Sequence, residues 1–213
     1  MKRTLLFSGI ALFAFLLVGC NSSESPDMHL LELKGNVKSV TYYTTSDVNS
    51  KGKKTRQSRS WELNTYNLNK DGQITSIDGG SPEIRIARNK KGLIETISEE
   101  NPESDYGCTR NYIWNANDYP ITEEYMLLCG EGWTCNILYS DSNEIIGKTY
   151  YEYWEGECIR EWSESYTVMQ VDEQRNWTRR LCKTIGNNIK FSLEERVITY
   201  YEDTQSNSLE SLY

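Results

Sequence analysis

The feature that most constrains this chain is a short turn-and-strand unit that returns along most of its length. Its clearest copy runs from Asn69 to Thr75: an Asn, two polar residues, Gly72, and then a run in which apolar residues alternate. An Asn side chain can cap its own turn, and Gly adopts positive φ at low cost. The unit therefore predicts a type I turn with a bulge at its last residue, which is a turn that closes a β-hairpin.

Four weaker copies of this unit follow the first. They begin at Asn89, Asn115, Ser140 and Asp172. Their residues at the Gly position are Gly92, Asp118, Asn143 and Arg175, so that successive positions from Gly72 onward are 20, 26, 25 and 32 residues apart. Asp and Asn tolerate left-handed backbone, but Arg175 does not fit this rule, so the last copy should either turn differently or carry strain. Each period holds about two strands of ordinary length.

The spacing of these turns predicts an all-β fold. No segment shows a sustained helical period, and the segments between the turns alternate as strands do. We predict a single domain over residues 33–213, built as an antiparallel meander of about 10 to 12 strands. Because a flat exposed sheet invites aggregation, the meander should curl into a single rolled sheet or an incomplete barrel.

The N-terminus has the layout of an export signal. Lys2 and Arg3 precede an uncharged apolar stretch that is too short for a comfortable membrane span, and Leu17-Val18-Gly19-Cys20 closes it. This ending resembles the lipobox of bacterial lipoproteins, which implies that residues 1–19 are removed and that Cys20 is acylated. Residues 20–32 would then form a polar tether. An ordinary secretory signal with an incidental Cys20 is the alternative.

The lipobox resemblance also predicts a location. Asn21 directly after the Cys does not suggest retention at the inner membrane, so we expect a lipid-anchored protein of the outer membrane, facing either the periplasm or the surface. Removal of Lys2 and Arg3 changes the formal charge from −8 to −10. So acidic a chain is a poor candidate for binding nucleic acid or anionic lipid surfaces.

The cysteines fit an exported protein. Besides Cys20 there are five, an odd number, so at least one should be free. Cys129 and Cys135 flank a Gly-rich segment that could form a hairpin tip, and a disulfide between them is the favoured pairing. The rival is a metal site formed by these two and another Cys, but the spacing is not that of structural zinc. We therefore expect no metal.

The repeated units resemble YD-type (RHS-like) repeats of exported bacterial proteins. The resemblance rests on Trp114-Asn115 and Val171-Asp172, which stand where such repeats place Tyr-Asp, and on Asn176-Trp177-Thr178, similar to a Gly-Asn-Trp-Thr segment often seen in the last copy. It extends from about Leu33 to Tyr201. It implies a short bacterial lipoprotein with a β-ribbon architecture, and it says little about function.

The chain lacks the side chains for several common chemistries. His29 is the only histidine and is expected in or beside the tether, which argues against Ser-His-Asp and Cys-His catalysis. No phosphate-binding Gly loop or dinucleotide fingerprint is present, so we expect no cofactor. Acidic residues are plentiful on the predicted strands: Glu123, Glu124, Glu152, Glu161 and Glu164. Two of them facing each other could form a glycoside hydrolase, which remains the catalytic alternative.

Aromatic residues offer a second kind of site. When each turn sets its register, Tyr112, Trp114, Tyr150 and Trp154 share a face with charged residues, and Ile113, Tyr125, Ile145 and Val168 share the opposite face. The first face is expected to be solvated and the second to be core. The four aromatics could form a platform for sugar rings or an extended partner chain, or they could pair across strands without any ligand.

These observations favour a non-catalytic binding or scaffolding protein of the cell envelope. The membrane is contacted through the lipid on Cys20, and the ligand would be a glycan or an envelope protein. The alternatives are a carboxylate-pair glycoside hydrolase and a structural or immunity-type partner of another protein.

Overall fold

The protein is all-β, as the sequence predicts. A computed structural model describes residues 25–78, 83–100, 107–127 and 130–202. Over these residues, twelve strands form one antiparallel sheet that curls into a nearly closed barrel with one unsealed seam. The bounds of the elements are α1 Pro26–Leu30, β1 Val37–Thr45, β2 Ser60–Leu68, β3 Ile74–Asp78, β4 Glu83–Arg88, β5 Ile94–Glu100, β6 Gly107–Trp114, β7 Pro120–Leu127, β8 Gly132–Tyr139, β9 Ile145–Trp154, β10 Glu157–Val171, β11 Trp177–Ile185 and β12 Ile189–Tyr200.

The seam lies between two strands that are neighbours in the chain. Every other pair of consecutive strands is hydrogen-bonded, and β1 also pairs with β12, so the first and last strands meet inside the sheet. β3 and β4 are instead the two edges, although only residues 79–82 separate them. A cavity of about 460 Å³ lies between them, lined by Ile77, Ile84 and Ile86 among others. The incomplete barrel is therefore open along one line.

The five repeated units form the predicted turns. In the first, the N–H of Asn69 donates to the carbonyl of Gln73, and the Asn69 side-chain oxygen accepts from the N–H groups of Asp71 and Gln73. Asn89 and Asn115 cap their own turns in the same way, and the side chains of Ser140 and Asp172 accept the N–H of the residue four positions later. Arg175 adopts φ of 64°, so the last copy makes the same turn, with a non-glycine residue in the left-handed region.

All five turns lie at the same end of the barrel, because two antiparallel strands separate each turn from the next. We call this end the plug end and the opposite one the far end. Helix α1 is packed into the plug end, with Asp27, Met28 and Leu31 buried. Met28 and Leu33 join a core cluster with residues of the surrounding strands, including Val40, Ile74 and Ile97.

This packing corrects the predicted tether. Residues 20–32 are predicted to form a polar tether, yet the part of this segment from Ser25 onward belongs to the fold. Its few apolar residues and its one buried acid contact the barrel interior. Residues 1–24, including Cys20, lie outside the described residues.

The predicted faces of the sheet were partly wrong, and β-bulges are the reason. A register shift occurs beside each repeat turn, for example between Ile113 and Trp114, so that Ile113 pairs with Thr122 and Tyr112 with Glu123. One extra residue in a strand moves every later side chain to the other face. Tyr125 consequently shares the inner face with Tyr112, and Ile113 is exposed.

Candidate functional site

The four residues of the predicted aromatic platform do not form one exposed surface. Tyr112 is only 9% exposed, and Trp114 packs beside it against the core cluster that surrounds α1. The Trp114 ring nitrogen donates to the carbonyl of Ile94 at 2.7 Å. Tyr150 packs against a second cluster, formed by Cys135, Ile137 and Ile145, and Trp154 alone is exposed, at 45%.

The inner face instead carries a row of four aromatic rings, one on each of four adjacent strands. Three of these residues, Tyr125, Trp133 and Trp162, are not part of any site predicted from the sequence. Tyr125 stacks on Trp133 at 5.3 Å between ring centroids, Trp133 meets Tyr150 edge to face at 5.4 Å, and Tyr150 stacks on Trp162 at 4.9 Å. The Arg160 guanidinium lies 5.1 Å from the Trp162 ring. Because the ring faces are used against one another, this row is cross-strand packing rather than a free platform.

Charged residues line the lumen between this row and α1. Arg180 is the central one: it contacts the carboxylates of Glu32 and Glu194 at 2.6 Å each, and its guanidinium lies 3.9 Å from the Tyr166 ring. Two guanidinium groups lie against the Trp177 ring, that of Arg180 at 4.1 Å from its centroid and that of Arg196 at 3.8 Å. This cluster joins β11 and β12 to the end of α1.

Arg196 completes the connection to α1. It donates to the carbonyl oxygens of Leu31 and Glu32 at 2.8 Å each, and to the carbonyl of Trp177. The carbonyls at the end of a helix have no partner within the helix, so these bonds supply partners just after α1, where the Leu31 carbonyl also accepts from the Tyr42 hydroxyl at 3.0 Å. The arginines thus fix the position of the segment that follows the plug.

The inward acids are held by cations or hydroxyl groups. Glu123 lies 3.8 Å from the Lys148 amine, and Glu164 accepts hydrogen bonds from the hydroxyls of Tyr150 and Tyr166 at 3.1 and 2.7 Å. Burial raises the pKa of both phenols, so they remain protonated donors. A glycoside hydrolase needs one acid that can donate a proton and a second that faces it. The Lys148 amine beside Glu123 and the two hydroxyl donors to Glu164 suit structural roles for these acids better than a catalytic role.

Two openings into the barrel are large enough for a small ligand. The first is a cavity of about 450 Å³ in the lumen, lined by Tyr42, Tyr66, Arg110, Tyr112, Glu123 and Lys148 among others. The second, which we call the plug-end cleft, has a volume of about 310 Å³ and lies between α1 and the turns at 140–144 and 172–176. The two share Glu32, Ile145 and Arg180 as lining residues.

The plug-end cleft is lined by two chemically different sets of residues. Ile146, Val168 and Val171 form its aliphatic wall, and each of these residues is at least half exposed. Glu32, Lys34 and Arg175 add charged groups to the same lining, together with the turn residues Ser142 and Asn143. Exposed aliphatic side chains grouped in a concave surface are typical of binding sites.

His29 and Tyr119 lie at one margin of this cleft. Their rings stack with centroids 4.2 Å apart, and a His29 ring nitrogen is 3.0 Å from the carbonyl oxygen of Asp118. Tyr119 also meets Tyr139 edge to face at 5.6 Å. The only histidine of the chain thus has a defined place in the fold, where the sequence analysis had it in or beside the tether.

The cysteines of the described residues are free thiols: Cys108, Cys135, Cys158 and Cys182. Cys129 lies outside the described residues, so its pairing with Cys135 remains a prediction. The register of β7 and β8 places Glu123 opposite Cys135. The described residues contain no group of three or more His, Cys, Asp or Glu side chains that could hold a metal ion.

Comparisons with known proteins identify no relative of this chain. No protein-family model matches the chain, and neither curated proteins nor solved structures yield a match. The resemblance to YD-type repeats therefore stays a prediction from the turn units. In the part of the chain that the structure describes, no helix is long and apolar enough to cross a membrane.

Proposed function

We propose that this protein is a lipid-anchored binding protein of the outer membrane whose ligand is a glycan held in the plug-end cleft. The anchor would be the acylated Cys20. The glycan would contact both the aliphatic wall and the charged residues of the cleft, without being chemically changed.

The observation that carries this proposal is that aliphatic and charged side chains line the same cleft. A sugar ring has an apolar face made of C–H groups and an edge made of hydroxyls. Ile146, Val168 and Val171 offer an apolar surface for the face, and Glu32, Lys34 and Arg175 offer donors and acceptors for the hydroxyls. The cleft volume of about 310 Å³ lies at the lower end of the range for small-molecule sites.

A glycan array tests the proposal, using the soluble chain from Ser22 onward, which contains every described residue. Val171→Asp introduces a charge into the aliphatic wall at a position that is 58% exposed, so the fold should tolerate it. Ile159→Asp is the matched control, because Ile159 is on the same strand, is 59% exposed, and lies near the far end.

We expect the unmodified chain and Ile159→Asp to capture the same glycans, and Val171→Asp to lose at least about tenfold in affinity, which is about 1.4 kcal/mol. Equal binding by all three would remove the cleft as the site. Capture of no glycan by any of them would contradict the proposal itself.

A further inference from the structure

The connection between β1 and β2 is a basic stretch in an acidic chain. Residues 46–59, which we call the basic loop, contain five Lys and Arg residues and a single acid, Asp47, although the formal charge of the whole chain is −8. All five cations are exposed: Lys51, Lys53, Lys54, Arg56 and Arg59. Lys190, near the start of β12, is a further exposed cation beside this loop. The acidic total therefore conceals a local cationic surface.

The charges of this surface are not neutralised within the protein. In the part of the chain that the structure describes, none of these six cations forms an ion pair. Arg85 and Arg179, on strands elsewhere, lie 3.4 and 3.5 Å from the carboxylates of Glu83 and Glu195. A group of like charges with no opposite charge beside it attracts counter-ions from solution.

The basic loop is held in one conformation by the barrel and by its own polar groups. The N–H of Val48, which is buried, donates to the carbonyl of Phe191 at 3.2 Å. Gly52 packs so closely against β10 and β12 that an added Cβ would lie 3.2 Å from the Met169 sulfur. The Asn49 side-chain oxygen accepts the N–H groups of residues 51 and 53 at 2.9 and 3.0 Å. Because the loop is already ordered, a ligand would lose little affinity to ordering it.

A cavity of about 470 Å³ lies between the basic loop and the first residues of β12. Its lining combines two cations, a hydroxyl, an amide and two apolar side chains: Arg56, Lys190, Thr55, Gln57, Ile189 and Phe191. The volume lies within the range of small-molecule sites. A sugar that carries a carboxylate presents the matching groups, namely an anion, hydroxyls and an apolar face of C–H groups.

We propose that the basic loop and this cavity form a second binding site, whose ligand is an acidic polysaccharide. One acidic sugar occupies the cavity, with its charged group at Arg56 and Lys190. The neighbouring sugars of the polymer lie along the loop, where the remaining lysines meet their charges. A single sugar would leave those lysines without a partner, and the buried centre of a protein interface is typically depleted in Lys. The site shares no lining residue with the plug-end cleft, so it does not depend on the proposed function.

The ligand class is tested by calorimetry on the soluble chain from Ser22 onward. The probes are polygalacturonate, alginate and dextran sulfate, with methyl-esterified polygalacturonate and dextran as the uncharged comparisons. We expect the acidic polymers to bind at least tenfold more tightly than the uncharged ones. Raising the salt from about 0.05 M to about 0.3 M should weaken this binding, because the charges on both partners are then screened.

Two double variants with the same change in net charge locate the site. Arg56→Glu with Lys190→Glu reverses the two cations of the cavity, and Lys90→Glu with Lys91→Glu reverses two exposed lysines in the β4–β5 turn at the plug end. The first pair should lose at least tenfold in affinity for polygalacturonate, and the second less than twofold. Urea unfolding checks that both remain folded. If the first does not, Arg56→Gln with Lys190→Gln replaces it, with the same expected direction.

The possible outcomes separate the second site from its rivals. Equal losses in the two double variants would overturn the proposal, because net charge alone would then govern binding. Equal or tighter binding of poly-glutamate, single-stranded DNA or phosphatidylglycerol vesicles would also overturn it, since the surface would then not select a polysaccharide. Failure of every acidic polymer to bind would do the same. Val171→Asp, in the plug-end cleft, should leave polygalacturonate binding unchanged, so this site and the cleft can fail independently.

Discussion

Asp27 and Arg88 are joined across the open seam of the barrel. Two guanidinium nitrogens of Arg88, the last residue of β4, donate to the two carboxylate oxygens of Asp27 on α1, at 2.9 and 2.6 Å. The same carboxylate accepts the N–H of Ile74, the first residue of β3, at 2.7 Å. One acidic side chain of the plug therefore ties together the two edge strands, which do not pair with each other.

Replacing Asp27 with Ala should destabilise the protein strongly. Removing one partner of a buried ion pair costs about 3–5 kcal/mol, and the partial exposure of Arg88 places the expected loss near 3 kcal/mol. Urea unfolding followed by Trp fluorescence measures it. Asp71→Ala is the control, since Asp71 is exposed in the nearby turn and should change stability by less than about 0.5 kcal/mol. Similar effects of both variants would show that the contact across the seam is unimportant.

The turn at residues 172–176 should become more stable when Arg175 is replaced with Gly. Arg175 has φ of 64°, and a left-handed conformation is costly for a residue with a Cβ, so Arg175→Gly should add about 0.5–1 kcal/mol. Gly92→Ala is the reverse test. Its added Cβ would meet nothing within 4 Å, so any loss, expected at about 1 kcal/mol, comes from φ alone. Thermal unfolding of the two variants should shift in opposite directions.

Asn176 should be intolerant of substitution. It is almost fully buried, accepts the N–H of Lys34 at 2.6 Å, and donates to the Lys34 carbonyl and the Tyr200 hydroxyl at 3.0 and 2.8 Å. Asn176→Ala removes three hydrogen bonds made by a buried side chain, which should cost about 2–3 kcal/mol. Asn117→Ala, at an exposed turn position, should be nearly neutral in the same urea titration. A neutral Asn176→Ala would mean that water replaces these bonds.

Stability should decline in alkaline solution. Burial raises the pKa of the Cys135 and Cys182 thiols from 9.0 to about 12, and that of the Tyr42 hydroxyl from 10.0 to about 12. The unfolded chain loses these protons first, so the stabilisation is complete below pH 9 and is lost as the pH rises toward 12. Urea midpoints measured across that range test this. Replacing Cys135 and Cys182 together with Ala should make the decline between pH 9 and 10 shallower.

The native protein should show one reactive thiol among the cysteines that the structure describes. Cys158 is exposed, whereas Cys108, Cys135 and Cys182 are buried, and burial raises the pKa of all three. Because the thiolate is the nucleophile, maleimide at pH 7 should modify Cys158 first, as peptide mapping by mass spectrometry would show. Rapid modification of Cys182 would contradict its buried position. The same map, without reduction, would test the predicted pairing of Cys129 with Cys135.

The turns could be predicted because their causes are local. Asn69 caps its own turn through its side chain, and Gly72 adopts positive φ, with no help from distant residues. The bulges beside the turns could not be placed in the same way. Whether Ile121 is the extra residue of a bulge depends on how β6 and β7 pack within the whole sheet. One bulged residue reverses the face of every later side chain in the strand.

The lining of the lumen was missed for a second reason. A strand with Lys148 and Glu152 on one face usually turns that face to water, and the prediction followed this rule. In the barrel, the Lys148 amine lies 3.8 Å from the Glu123 carboxylate, and Arg180 lies between Glu194 on the adjacent strand and Glu32, which is 148 positions away in the chain. Charge compensation between residues on different segments leaves no pattern in a local window of sequence.

The amino-acid sequence by itself determined the periodic turns, and through them the antiparallel meander, because turn geometry depends on a few neighbouring side chains. Only the tertiary structure decided that Asp27 is a buried residue bonded to both edge strands rather than part of a tether, and that the plug-end cleft exists at all. These features depend on closing the sheet, which brings Glu32 and Lys34, just after α1, against residues up to 148 positions away in the chain. Such contacts follow from the curvature of the whole sheet, and no short segment encodes that curvature alone.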